Sequence, residues 1–237
     1  MQTECSATDV KLDYQPALEL LGFDSFRAGQ REALDALFSS GSLLLVAPTG
    51  GGKSLIYQLP AVMLSGTTLV ISPLISLMND QVTALSARGI PATYIASTLK
   101  PEEQRDRLER MERGEYRMVY ASPERLSLPG FRRMVEGLNC PLIAVDEAHC
   151  ISEWGHDFRP EYMQIGDLLK RMPDARVLAC TATATPVVRA EILPRLGWGP
   201  ATRRVGGGVA RPQLAPRGRE VNNRRDREGD GERRVAA

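Results

Sequence analysis

LLLVAPTGGGKS, at residues 43–54, joins a short apolar strand directly to a glycine-rich turn and a helix start. Consecutive glycines adopt backbone angles closed to other residues, so successive N–H groups can point inward at an anion. Lys53 adds a mobile positive charge for the outer phosphates, and the Ser54 hydroxyl is suited to Mg²⁺. This order predicts a nucleotide-phosphate loop formed by Thr49, Gly50, Gly51, Gly52, Lys53 and Ser54.

One position departs from the usual pattern of such loops, because Ala47 stands where glycine is common. The glycine, lysine and serine at 52–54 are intact, and the following helix would add its positive N-terminal end. The alternative interpretation is a chance match in a surface loop.

A second segment, PLIAVDE at residues 141–147, is an apolar strand that ends in two carboxylates. In an open parallel sheet, ligands bind at the carboxyl ends of the strands. Asp146 would therefore hold Mg²⁺, and Glu147 would polarise the water that attacks the γ-phosphate. Alternatively, the two acidic residues are solvated or cap the next helix.

The rest of the sequence predicts an α/β fold around a mainly parallel sheet flanked by helices. Apolar runs rich in Val, Ile and Leu lie at 43–46, 68–72, 117–121, 142–146 and 176–180. They lack alternation, which is typical of strands covered on both faces. Residues 16–38 indicate helices, broken at Gly22 and Gly29, before the first strand.

Length and charge predict one globular domain over residues 1–200 and a disordered tail over 201–237. The chain has 237 residues, 43% of them hydrophobic, and a net charge of +1. Ten arginines and five acids lie in 201–237, which leaves 20 of the 30 basic and 24 of the 29 acidic residues for 1–200. Total charge is thus no argument for nucleic acid, and the tail is too poor in apolar residues to order itself.

Cysteine pattern and hydropathy exclude several classes of protein. The four cysteines, Cys5, Cys140, Cys150 and Cys180, form no C-x-x-C pair, so neither a zinc site nor a disulfide framework is predicted. No leader-like N-terminus and no stretch of about 20 apolar residues is present, which predicts a cytoplasmic protein without a membrane partner.

Six motifs stand in order along the chain. DEAH at 146–149 continues into CISEWGHDFRPEY at 150–162, which is similar to the aromatic-rich loop of the RecQ helicase family. Around them stand LLGFDSFRAGQ (20–30), VISPLISLMNDQ (70–81), YASPER (120–125) and TAT (181–183), similar to motifs 0, Ia, Ib and III. The resemblance covers residues 16–200. Ala28 stands where proline is common, and ARPQL at 210–214 is only close to the family's segment.

The resemblance implies a RecA-like P-loop NTPase domain with ATP and Mg²⁺ as cofactors. Phe23 and Arg27 would sandwich adenine, and Gln30 would read its edge, because an amide donates and accepts side by side. The alternative is that Phe23 and Phe26 are core anchors of an N-terminal helix.

The aromatic-rich loop is expected to grip single-stranded or partly unwound DNA. Trp154 and Phe158 can stack on bases while Arg159, with His156 beside it, contacts phosphate. Packing of Trp154 in the core is the alternative. His149 is expected to couple the two ligands through Thr181 and Thr183 and not to bind metal, because no second histidine or cysteine pair supports one.

Ser72 and Ser122 follow strands, where hydroxyls commonly bind phosphate oxygens, although helix capping is equally good chemistry for them. The resemblance also implies a second lobe, either cut short in this sequence or encoded separately, that supplies an arginine to the γ-phosphate. The expected family activity is 3′ to 5′ unwinding in DNA repair and recombination. For this chain alone we expect ATP binding without strand separation, as a truncated nucleotide- and DNA-binding module.

Overall fold

The apolar runs form the strands of one parallel sheet. The computed structural model describes residues 12–154, 157–199 and 202–206. Its strands are β1 (Ser42–Val46), β2 (Thr68–Ile71), β3 (Ala92–Ile95), β4 (Met118–Ala121), β5 (Leu142–Val145), β6 (Arg176–Thr181) and β7 (Arg203–Gly206). All described pairings are parallel, in the order β3-β4-β2-β5-β6-β1-β7. The predicted α/β fold with a parallel sheet is confirmed.

Helices cover both faces of this sheet. They are α1 (Gln15–Leu20), α2 (Gln30–Ser40), α3 (Leu55–Met63), α4 (Ile75–Ser86), α5 (Pro101–Glu112), α6 (Pro129–Glu136), α7 (Ile165–Arg171) and α8 (Pro186–Arg195). Short 3₁₀ turns occupy Pro123–Ser127, Ala148–Ile151 and Pro160–Gln164. Successive residues of β1 point to opposite sides, because Leu44 lies in one hydrophobic cluster and Leu43 and Leu45 lie in the other. Burial on both faces explains why the strands lack a polar alternation.

The N-terminal helices end and begin at glycines, as predicted. Gly22 follows α1 with a φ of +78°, and Gly29 precedes α2 with a φ of +81°. Side chains with a Cβ rarely adopt this left-handed backbone, so glycine fixes both breaks. Among the described residues, no helix is long and apolar enough to span a membrane.

Two strands, β3 and β7, were not predicted from the sequence. β3 is only four residues long and contains Thr93 and Tyr94, so it was not visible as an apolar run. β7 corrects the predicted tail at its start, because Arg203–Gly206 pairs in parallel with β1. An edge strand is held by backbone hydrogen bonds, which do not require an apolar sequence. The remainder of the predicted tail, from residue 207 on, lies outside the described residues.

Candidate nucleotide and DNA site

The sheet order brings the glycine loop and the acidic pair to one edge. β1, β6 and β5 are consecutive neighbours, with Val46 opposite Thr181 and Val145 opposite Ala179. The loop leaves the carboxyl end of β1, and Asp146 follows the carboxyl end of β5. Parallel strands end at the same edge, which is where ligands bind in such sheets. The two segments predicted to share a triphosphate therefore lie one strand apart.

The backbone of the glycine loop has the shape that an anion cradle needs. Gly50 and Gly52 have φ values of +76° and +75°. A Cβ at Gly51 would lie 2.8 Å from the carbonyl oxygen of Pro48, and one at Gly52 would collide with the Gln30 side chain. Each glycine is thus required by backbone angle or by space.

Lys53 folds back over the glycine loop. Its ammonium donates to the carbonyl oxygens of Ala47, at 3.2 Å, and Pro48, at 3.4 Å. Exchange of these two neutral acceptors for phosphate oxygens would give a stronger, charge-assisted contact. Helix α3 begins directly after Ser54, so its positive end points at the same space.

Asp146 is a buried carboxylate in an environment that lacks a full counter-charge. Burial, and then the charge of Glu147, raise the pKa of Asp146, while the Glu147 N–H and the Lys53 ammonium act in the opposite direction. The Glu147 N–H donates to its Oδ1 at 3.0 Å, and the Cys180 thiol lies 3.6 Å from the same oxygen. A cation bound here would offset the burial that now disfavours the charged form.

Glu147 and His149 lie at the junction with motif III. Glu147 has a φ of +47°, and it is the one non-glycine residue with positive φ in the described part of the chain. Such strain clusters at functional sites. The Nδ1 atom of His149 lies 2.9 Å from Thr181 Oγ1 and 3.2 Å from Glu147 Oε2. Thr181 Oγ1 donates to the Thr183 carbonyl oxygen, so it accepts from His149 Nδ1–H. The predicted partners are thus in contact.

Motif 0 touches the phosphate loop. Arg27 donates through Nη1 to the Gly50 carbonyl oxygen at 2.6 Å, and Gln30 donates through Nε2 to the Gly52 carbonyl oxygen at 3.1 Å. Phe23 is 40% exposed and lines a cleft of about 240 Å³ together with Arg27 and Gln30. The two phenylalanines therefore differ, because Phe26 packs edge-on against the buried Tyr14 ring, as the core-anchor alternative requires.

The aromatic-rich loop presents its large rings to solvent. Trp154 is 75% exposed and Phe158 36% exposed, so neither is a core residue. Arg159 is paired with Asp157 at 3.3 Å and is held by its N–H to the Cys150 carbonyl oxygen at 2.9 Å. His156 lies outside the described residues. Exposed aromatics beside an arginine are the surface expected for contact with unpaired bases.

Contacts of the aromatic-rich loop with α8, and a hydrogen bond from Tyr162 to the backbone of Asp146, were not predicted. Ser152, fully buried, donates to the Glu191 carboxylate and accepts the Trp154 N–H at 3.2 Å. Arg195 bridges Glu191 and the exposed Glu153. The buried Tyr162 hydroxyl donates to the Asp146 carbonyl oxygen at 2.9 Å. The contacts of Ser152 with Glu191, Arg195 with Glu153 and Tyr162 with Asp146 join residues 16 to 42 positions apart, and no motif or spacing marks them.

Ser72 and Ser122 lie side by side at the ends of β2 and β4, but both are almost fully buried. Within the described residues neither hydroxyl has a hydrogen-bond partner, and Ser122 makes no side-chain cap to the turn that follows it. The capping alternative is therefore not realised at Ser122. Their contact with phosphate stays a prediction.

Comparisons with known proteins identify the family of this chain. A model of the DEAD/DEAH box helicase family matches residues 27–190, more than half of the chain. The ATP-dependent DNA helicase RecQ of Bacillus subtilis is 50% identical over 177 residues, covering 74% of this chain and 30% of the relative. The probable ATP-dependent DNA helicase RecS of the same organism is 43% identical over 204 residues, covering 86% of this chain and 40% of the relative.

The fold is also similar to a solved structure, a hypothetical ATP-dependent RNA helicase from Sulfolobus tokodaii. The TM-score is 0.63 at 17% identity, covering 82% of this chain and 56% of the other. At this identity the likeness concerns the fold alone. The chain spans about 30 to 40% of the length of the curated relatives described above. It belongs to the DEAD/DEAH box helicase family, as a RecQ-like member that corresponds to the ATP-binding lobe.

Proposed function

We propose that this chain is the ATP-binding lobe of a helicase that uses ATP hydrolysis to unwind DNA from 3′ to 5′. One observation supports this above others. The His149 ring joins the acidic pair that follows β5 to Thr181 at the end of β6, and the aromatic-rich loop begins at the next residue. Nucleotide chemistry and DNA contact therefore share one short segment. The polarity and the role in repair and recombination come from the resemblance.

The nucleotide is placed by two neighbouring parts of the site. The cleft of about 240 Å³ beside Phe23 is smaller than the ~300–1,000 Å³ of whole-ligand pockets, so it suits one part of a ligand, the base. Arg27 stacks against that base. The Gln30 amide, which accepts the Arg27 N–H at 2.7 Å and donates to the Gly52 carbonyl oxygen at 3.1 Å, exchanges these partners for the edge of the base. The phosphates lie in the loop, where they replace the carbonyl oxygens now bound by Lys53.

The residues at the loop also fit Mg²⁺. Asp146 is a carboxylate whose pKa is raised by its burial and then by the charge of Glu147, and Ser54 offers a hydroxyl on the opposite segment. Bound Mg²⁺ supplies charge neutralisation for the phosphate oxygens during transfer. Glu147 orients the attacking water and accepts its proton, and His149 Nδ1–H holds the Glu147 carboxylate in position.

Replacement of Asp146 by Asn separates stability from function. We expect Asp146→Asn to raise the melting temperature of the ligand-free chain at pH 7.5 by about 2–4 °C, which is about 1 kcal/mol for a chain of this size. The folded-state pKa is raised, so the wild-type carboxyl stabilises most below its unfolded pKa of ~3.9 and loses this as pH rises towards the folded value. The advantage of the variant should therefore vanish in acid.

The same variant should lose the further rise in melting temperature that Mg²⁺ adds to ATP in the wild type, as measured by differential scanning fluorimetry. Asp167→Asn is the matched control, because Asp167 is exposed on α7 and paired only with Lys170. A melting temperature several degrees below the wild type would show that Asp146 is needed for the fold and not for metal.

Single-stranded DNA binds, in this proposal, across Trp154, Phe158 and Arg159, and ATP changes that binding through His149. We expect a non-hydrolysable ATP analogue to change the affinity for a fluorescent oligonucleotide by fivefold or more, which is the usual range of linkage between two sites. His149→Ala should reduce the change to less than twofold and leave each separate affinity near the wild type. Fluorescence anisotropy measures all of these quantities.

Two results would contradict the proposal. An unchanged DNA affinity in the presence of the analogue would remove the motor function, and a full linkage in His149→Ala would remove the coupling role. The alternative, a binding module that does not unwind, is separated by a strand-displacement assay. The proposal includes a second lobe, in the same or another polypeptide. It also includes a location in the same compartment as the DNA, which is the cytoplasm in a cell without a nucleus.

A further inference from the structure

Three metal-binding side chains meet between the DEAH quartet and the aromatic-rich loop. The Cys150 Sγ atom lies 3.9 Å from His149 Nε2 and 3.7 Å from Asp157 Oδ2, and all three ligand atoms lie within 4.8 Å of one another. Sequence spacing did not predict this, because Asp157 is not part of a histidine or cysteine pair. The fold of the loop brings its carboxylate back over the quartet.

The separations are close to those of a tetrahedral zinc site. Bond lengths of ~2.3 Å to sulfur and ~2.0–2.1 Å to nitrogen or oxygen place ligand atoms about 3.3–3.6 Å apart. The observed sulfur-to-nitrogen and sulfur-to-oxygen distances exceed this by a few tenths of an ångström. A small rotation of the exposed Asp157 side chain would close the sulfur-to-oxygen gap, and a small rotation of the Cys150 side chain about its Cα–Cβ bond the sulfur-to-nitrogen gap. Three protein ligands leave a fourth position for water, as in zinc sites that are not purely structural.

The histidine is oriented as a metal ligand should be. Thr181 donates its hydroxyl hydrogen to the Thr183 carbonyl oxygen, so His149 carries its proton on Nδ1 and directs the Nε2 lone pair towards Cys150. Nδ1–H also faces Glu147 Oε2 at 3.2 Å. A carboxylate or hydroxyl behind the second ring nitrogen is the usual outer support of a zinc-bound histidine.

From these contacts we propose that His149, Cys150 and Asp157 form an inhibitory site for a divalent transition metal, with Zn²⁺ as the best match. On binding, the metal takes the place of the thiol proton between sulfur and oxygen. The sulfur–hydrogen bond breaks, a sulfur–metal bond forms, and the proton leaves to solvent. One thiolate and one carboxylate neutralise the charge of the divalent ion, so the occupied site carries no net charge.

The Cys150 thiol keeps its proton unless a metal binds. Cys150 is fully buried, and burial followed by the charge of Asp157 raises the pKa of Cys150 to about 12. It is therefore protonated and unreactive at neutral pH. The competing ion pair, Arg159 with Asp157 at 3.3 Å, is partly exposed on both sides, and such pairs contribute little stability. Displacement of Arg159 by the metal thus costs little.

The inhibitory consequence rests on the proposed function, whereas the metal site itself does not. A metal on Nε2 fixes the His149 ring and strengthens its hold on Glu147, the carboxylate that orients water. It also removes Arg159 from Asp157 and ties the start of the aromatic-rich loop to the quartet. The segment from His149 to Arg159, which in the proposed function transmits changes between ATP and DNA, is then held in one conformation.

Cobalt titration of the whole chain tests the site directly. We expect Co²⁺ to produce visible bands typical of tetrahedral coordination and a near-ultraviolet thiolate charge-transfer band, both removed by excess Zn²⁺. Cys150→Ser should abolish the charge-transfer band, and Asp157→Asn should weaken Co²⁺ at least tenfold. Cys140→Ser and Cys180→Ala are matched controls, and both should keep the band. Cys180 is included because its thiol lies 3.6 Å from the Asp146 carboxylate, the other place where a thiol and a carboxylate meet near this segment.

Absence of the band in the wild type, or its survival in Cys150→Ser, would overturn the site. If Cys150→Ser fails to fold by circular dichroism, Asp157→Asn decides, since its side chain is exposed, and undiminished affinity there would overturn the site. A band without loss of the ATP–DNA linkage in Zn²⁺ overturns the inhibitory role only. A wild type that shows the band but lacks any linkage counts against the proposed function and supports the site.

Discussion

Lys53→Ala should weaken the affinity of this chain for ATP by about 10- to 150-fold. A hydrogen bond to a charged group contributes ~1.5–3 kcal/mol, and each 1.4 kcal/mol is a factor of ten. The lysine is the charged donor of the loop, and its ammonium donates to two neutral acceptors, the carbonyl oxygens of Ala47 and Pro48. Its loss therefore costs the nucleotide complex much more than it costs the free protein.

Titration calorimetry with ATP and Mg²⁺ measures this difference. Lys100→Ala is the matched control, because Lys100 is an exposed lysine before α5 and should bind ATP as the wild type does. Equal affinities for the wild type and Lys53→Ala would show that the glycine loop is not the nucleotide site. The same result would remove the ATP-binding part of the proposed function, whatever the resemblance implies.

The parts of the fold that sequence predicted are those fixed by local chemistry. Buried parallel strands need continuous apolar runs, so five of the strands were visible as Val-, Ile- and Leu-rich segments. Glycines with left-handed backbone marked the end of α1, at Gly22, and the start of α2, at Gly29. β3 and β7 are the two edge strands, so each pairs with a neighbouring strand on one side only. They were not predicted because such a strand depends on this backbone pairing and not on a continuous apolar run. That neighbour is chosen by the fold and not by local sequence.

The same division holds within the site. The glycine loop and Asp146 follow from motifs that each lie at one strand end, whereas the His149–Thr181 contact, which joins two strand ends, was expected from the family resemblance. The contact of Gln30 with the Gly52 carbonyl oxygen adds something that the motif did not state, namely a direct link between the residues before α2 and the glycine loop. Long-range supports such as Ser152 with Glu191 have no local pattern. Burial of Ser72 also depends on the neighbouring strand, which sequence alone does not specify.

Removal of both exposed rings in the aromatic-rich loop should have the largest effect on DNA binding. Stacking of one base on an aromatic side chain contributes ~1–3 kcal/mol, so Trp154→Ala with Phe158→Ala should weaken single-stranded DNA by about 2–6 kcal/mol, at least about 30-fold. Both rings are exposed, so their loss leaves the core intact. ATP affinity and melting temperature should stay near the wild type, which separates lost stacking from unfolding.

Tryptophan emission gives a second measure of the same contact. The chain has two tryptophans, and Trp198 packs against the core while Trp154 faces solvent. Quenching by an oligonucleotide should therefore disappear in Trp154→Ala. Leu128→Ala removes an exposed apolar side chain elsewhere, 45% exposed, and should bind DNA as the wild type does. If the double variant kept full affinity, the exposed rings would serve another surface, and DNA would have to lie along the ends of β2 and β4. Those ends carry Ser72 and Ser122, whose burial would then have to be relieved before a phosphate could reach them.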